Sequence, residues 1–96
     1  MNCNIPDRVF RELCCFAKEN NISKIILFGS RARGTHTERS DIDIAVSGGN
    51  FENFYWQVME NIHSLLTFDI IELDKGISKE LQIELDNEGI VIYEKI

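Results

Sequence analysis

Asp41 and Asp43 stand two residues apart in the run S-D-I-D-I-A-V, and ten residues separate them from the pair Gly29-Ser30. Side chains two apart on a strand point the same way, with Cα atoms roughly 6.5 Å apart. Two carboxylates at that distance repel, and each is costly to desolvate alone. A divalent cation between them removes both problems, and hard oxygen ligands select Mg²⁺ or Mn²⁺. Mg²⁺ usually takes only one or two protein carboxylates and completes its shell with water and substrate phosphates. Gly29 lets the backbone approach a ligand closely, and N–H groups at a helix start attract phosphate. Ser30 adds a hydroxyl donor. Arg31, Arg33 and Arg39 add positive charge in an otherwise acidic chain. Arg31 and Arg33, next to the turn, are the candidates to meet a triphosphate.

Asp69 supplies a third acid if its strand lies beside the one that carries Asp41 and Asp43. Three carboxylates can hold two metal ions about 4 Å apart, the geometry of in-line phosphoryl or nucleotidyl transfer. One ion would activate an attacking hydroxyl; the other would hold the triphosphate and the leaving pyrophosphate. Gly-Ser and Asp-x-Asp at one fixed separation arise by chance at about one in 10⁵ per start position for average residue usage. That rarity favours a site over a solvated strand edge for Asp41 and Asp43. For Asp69 an exposed strand acid competes. Glu72 is expected on the opposite face and Asp74 in a turn. His36 and His63 read as surface residues.

The elements that must position these residues follow from pattern. Pro6 suits the first turn of a helix, and Val9, Leu13 and Phe16 recur at helical spacing up to Asn20-Asn21. Lys24 to Phe28 reads as a strand covered on both faces, since its apolar run does not alternate. Ser30 is expected to cap a short helix from Arg31 to Gly34. Asp41 to Ser47 alternates: Asp41, Asp43 and Ala45 on one face, Ile42, Ile44 and Val46 on the other. A helix is expected over 51–66, with Phe51, Phe54, Tyr55, Val58, Ile62, Leu65 and Leu66 inward and Trp56, Met59 and His63 outward. Phe68 to Leu73 and Ile90 to Tyr93 read as strands. Between them Ser78 caps a helix ending before Gly89, although Leu81, Ile83 and Leu85 also fit period two. The order α-β-α-β-α-β-α-β implies an α/β sandwich around a mixed sheet.

Ninety-six residues, 44% hydrophobic and 27% charged, suit one folded domain over residues 1–96. A formal net charge of -6 argues against a nucleic-acid backbone as the main partner. Cys3, Cys14 and Cys15 give no disulfide framework and no zinc spacing, which suits reduced thiols in the cytoplasm. Of Cys14 and Cys15, one is expected in the core and one at its boundary. No apolar run approaches a membrane span, so no membrane partner is expected.

G-S-R-A-R-G followed by S-D-I-D-I-A-V resembles the nucleotidyltransferase superfamily of DNA polymerase β-like fold, and the length is similar to its minimal nucleotidyltransferase (MNT) branch. The resemblance runs from the first helix to the terminal I-V-I-Y-E. It implies Mg²⁺-dependent transfer of a nucleoside monophosphate, AMP from ATP or its equivalent from another NTP, to a hydroxyl. Gly29 and Ser30 would hold the triphosphate, Asp41 and Asp43 would be metal ligands, and Asp69 would be the third acid and help deprotonate the acceptor. Many MNT proteins are antitoxins paired with a helical HEPN toxin, and some adenylylate a toxin tyrosine. The reading is therefore an antitoxin enzyme with a HEPN-type partner, in a homo- or hetero-oligomer. Two rivals stand: an antitoxin that neutralises by occlusion alone, and an aminoglycoside-type transferase.

Overall fold

The apolar runs become four strands of one mixed sheet in the computed structural model, which describes residues 4–62 and 66–95. In chain order the elements are α1 (Asp7–Glu19), β1 (Lys24–Phe28), α2 (Ser30–Arg33), β2 (Ile42–Ser47), α3 (Phe51–Asn61), β3 (Phe68–Glu72), a 3₁₀ turn (Leu73–Lys75), α4 (Lys79–Glu88) and β4 (Ile90–Glu94). The sheet order is β3-β2-β1-β4. β1 pairs antiparallel with β2 and β4, whereas β2 and β3 run parallel. A parallel pair needs a crossover connection, and α3 supplies it.

Strand alternation sorts the two faces. Ile25, Leu27, Ile42, Ile44, Val46 and Ile92 meet Val9, Leu13 and Ala17 of α1 and Phe54 and Val58 of α3. On the opposite face Phe28 and Ala45 meet Leu85 of α4, with Ile26, Ile71 and Leu81 around them. β1 is thus covered on both faces, which explains its unbroken apolar run. Because Ile42, Ile44 and Val46 take the α1/α3 face, Asp43 falls on the α4 face.

Short polar contacts fix the ends. Pro6 precedes the first turn of α1, as its missing N–H allows. The side chain of Asn50 caps α3 by accepting from the Asn53 amide at 3.2 Å, and Ser78 caps α4 by accepting from Leu81 at 3.1 Å. Asn20, buried at the end of α1, donates to the Phe16 carbonyl and accepts from Asn53 at 2.7 Å, tying α1 to α3.

Two expectations change, for the end of α3 and for the cysteines, while α4 forms as the expected helix. α3 ends at Asn61 rather than at 66, because Ile62 is already extended and the chain must turn toward β3. Leu66 packs on the core from the connection, and His63 and Leu65 lie outside the described residues. In α4 the period-two reading fails: Leu81 and Leu85 share the sheet-facing side and Ile83 points outward at 54% exposure. Cys14 is half-buried and Cys15 exposed, so neither is core; Cys3 lies outside the described residues. Trp56 and Met59 are exposed, as their spacing implied.

Replacing Phe54 by Ala should cost about 3–5 kcal/mol, since its ring is fully buried between α3 and the sheet. Ile83→Ala should stay within about 0.5 kcal/mol. Urea midpoints of the two variants check both values.

Candidate active site

β2 and β3 run parallel in a register that sets Asp43 directly beside Asp69. Neighbouring strands lie about 4.8 Å apart, so the two carboxylates start from adjacent positions on the same face. One residue before β2, Asp41 accepts a hydrogen bond from the Thr67 hydroxyl, and the Ile42 amide donates to the Thr67 carbonyl at 2.9 Å. Thr67 thereby holds the entry to β2 against the entry to β3. Asp41 and Asp69 are exposed and Asp43 is half-buried.

Gly29 closes the site on its other side. It follows β1, whose last residue Phe28 is the cross-strand partner of Asp43. Its backbone is at φ 75°, ψ -157°, a region open essentially only to glycine. A Cβ there would also collide with the Asp43 carboxylate. The Gly-Ser turn is therefore pressed against one of the acids.

The short α2 begins at Ser30 rather than at Arg31. Gly29 occupies the cap position and no side chain caps the helix, so the expected capping role of Ser30 is not realised. Its hydroxyl has no hydrogen-bond partner among the described residues. The amides of Ser30 and Arg31 precede the first intrahelical bond, in which Ala32 and Arg33 both donate to the Gly29 carbonyl at 3.1 Å.

The two candidate arginines part company. Arg31 is buried at 4% exposure, and its guanidinium donates to the carbonyls of Asn4, Thr37, Glu38 and Ser40 at 2.8–3.3 Å. It braces the loop between α2 and β2 and is not presented to a ligand, contrary to the expectation for it. Arg33 is turned outward, 40% exposed, near Glu84 at 3.6 Å and Glu88 at 3.7 Å on α4. Arg39 is exposed in the loop.

The charges converge on Asp43. Its carboxyl is held above the usual 3.8, first by burial, then by the neighbouring negative charges of Asp69, Asp41 and Glu84, with Arg33 opposing. Among the described residues no three His, Cys, Asp or Glu side chains close into a ready-made metal cage. An open set of hard oxygens whose central member resists ionisation suits a cation that completes its shell from water and phosphate. A concavity of about 520 Å³ lined by Ile5, Arg31, His36 and Glu38 does not include the acids.

Residues 13–96 match the family described as Polymerase beta, Nucleotidyltransferase. The chain belongs to that family. A candidate protein adenylyltransferase of Methanocaldococcus jannaschii is 70% identical over 27 residues, which span 28% of this chain and 27% of that relative. A toxin–antitoxin crystal structure with AMP-PNP shares the fold, with a TM-score of 0.69 at 24% identity, over 90% of this chain and 73% of that one. The MntA-HpeT toxin–antitoxin mutant Y104A is similar at TM-score 0.63 and 25% identity, over 88% and 72%. Within this family fold, sequence reading missed Thr67 and Glu84. Thr67 lies on the face of Asp69 two residues earlier, and Glu84 becomes visible once Leu81 and Leu85 fix the inward side of α4.

Asp43 carries a raised pKa, so its ionisation costs folding free energy above the folded-state pKa, and that cost vanishes as pH falls below 3.8. Asp43→Asn should therefore raise Tm at pH 7 in EDTA, with the gain shrinking toward pH 4. Thermal scans across that window check it. Arg31→Ala should cost about 2–3 kcal/mol, because it leaves several inward carbonyls without a charged donor.

Proposed function

We propose that this chain transfers a nucleoside monophosphate, AMP from ATP, to a hydroxyl on a HEPN-type toxin partner and so acts as an antitoxin. The observation that carries the reading is the Gly29 turn packed against Asp43 with Asp69 alongside in register. It sets a turn that would bind phosphate beside carboxylates that would bind metal. The relatives named for protein adenylyltransfer and for toxin–antitoxin complexes support the donor and the partner.

Asp41, Asp43 and Asp69 would hold Mg²⁺, which supplies neutralisation of the triphosphate and of the charge that develops on the leaving pyrophosphate. Ser30 and the first amides of α2 would donate to the phosphates, and Arg33 would add positive charge at their edge. The acceptor hydroxyl oxygen forms a bond to the α-phosphorus while the bond to the bridging α,β-oxygen breaks and pyrophosphate leaves. Asp69, exposed at the edge strand, takes the hydroxyl proton. A protein acceptor suits the exposure of Asp41 and Asp69, which leaves both carboxylates open to a partner's surface. Exposed Trp56 and Met59 on α3 favour a second reading, in which the partner is blocked by contact alone.

Labelled ATP, Mg²⁺ and the product of the adjacent gene should give a labelled partner. Asp41→Asn with Asp43→Asn should reduce the label by about 100-fold or more, since metal ligation is worth several kcal/mol to the transition state. Absence of label under conditions where the two proteins bind contradicts the proposal. Full neutralisation by the double variant favours occlusion.

A further inference from the structure

Arg31 and Arg33 sit two residues apart on one short helix, yet their donors are used in opposite ways. Arg31 spends its N–H groups on carbonyls. The Arg33 side chain makes no hydrogen bond among the described residues. It stands 3.6 Å from Glu84 (through Nη1) and 3.7 Å from Glu88 (through Nε), beyond the distance of a strong charge-assisted bond. Glu84 and Glu88 are four apart on α4, so they present neighbouring carboxylates along one side of that helix. All three side chains are partly exposed, at 34–40%. α4 itself is fixed to the sheet by Leu85, directly next to Glu84.

We infer that Glu84 and Glu88 are positioning residues that aim Arg33 at the nucleotide's phosphates from α4, beside the Gly29-Ser30 turn. The inference rests on the proposed nucleotidyltransferase reading and deepens it. A free arginine side chain samples many rotamers, and ordering one on binding costs affinity. Two carboxylates on a rigid helix hold the guanidinium by charge and direction while leaving its hydrogen-bond donors unspent. The charges of Glu84 and Arg33 both act on the Asp43 carboxyl, which sets the pair near the acid set.

The sign of the effect separates this role from bulk electrostatics. Neutralising two carboxylates near an anionic ligand should, through the field alone, tighten its binding. Loss of a positioning contact should weaken it. The experiment is isothermal titration of the chain with ATP in excess Mg²⁺, for the native protein, Glu84→Gln/Glu88→Gln, Arg33→Ala, and the triple combination, with circular dichroism to verify folding. Exposed ion pairs are individually weak, so the double variant should raise Kd by about five-fold. In the Arg33→Ala background the same two changes should not raise Kd, because their effect passes through Arg33. An unchanged or lower Kd for the double variant overturns the inference, as does an equal rise in both backgrounds. A native chain that binds no Mg-ATP overturns both the inference and the proposed function. A native chain that binds, with a double variant that does not weaken, overturns the inference alone.

Discussion

Two like charges placed side by side set the terms for the rest of this molecule. Asp43 and Asp69 are register partners on parallel strands, and burial of Asp43 makes their repulsion harder to screen. A fold driven only by burial would not put them there. The arrangement requires β2 and β3 to be neighbours in register; they run parallel, which requires the α3 crossover, whose Phe54 and Val58 anchor it on the opposite face. The positive φ at Gly29 belongs to the same constraint, since a residue without Cβ is what fits after β1 against the Asp43 carboxylate.

The framework around the acids is held by polar contacts that look modest in sequence. Arg31 pins the loop between α2 and β2, and through it the approach to Asp41. Thr67 fixes Asp41 against the start of β3. Gly48 donates to the Asp74 carboxylate at 2.8 Å, which draws the end of β2 to the 3₁₀ turn after β3. These contacts keep both ends of the parallel pair in register. Glu72, on the other face, pairs with Lys75 at 3.6 Å and takes no part in the acid set.

Sequence pattern captured the element order and the face of each acid, because period two in β2 and helical spacing in α1 leave little freedom. Strand bounds fell within a residue. The Asp69 placement rested on a condition, that β3 lie beside β2, and no local pattern encodes strand adjacency. Misreadings came from side chains whose role depends on distant backbone. Arg31 looked like a ligand because of its position, whereas the carbonyls that bury it come from Asn4 and the loop 37–40. The end of α3 was overestimated because apolar residues continue past Asn61 into a connection that also packs on the core. Ser30 lost its cap role to Gly29, whose backbone geometry no side-chain preference reveals.

Paramagnetic line broadening tests the central claim most directly. Substoichiometric Mn²⁺ with ATP, added to ¹⁵N-labelled protein, relaxes only amides near the bound ion. The amide signals of Gly29, Ser30, Asp41, Asp43 and Asp69 should vanish first, while those of α1 persist. Broadening centred instead on Glu72 and Asp74, or spread evenly over the acidic surface, would contradict a shared cation seated between these acids and the Gly-Ser turn.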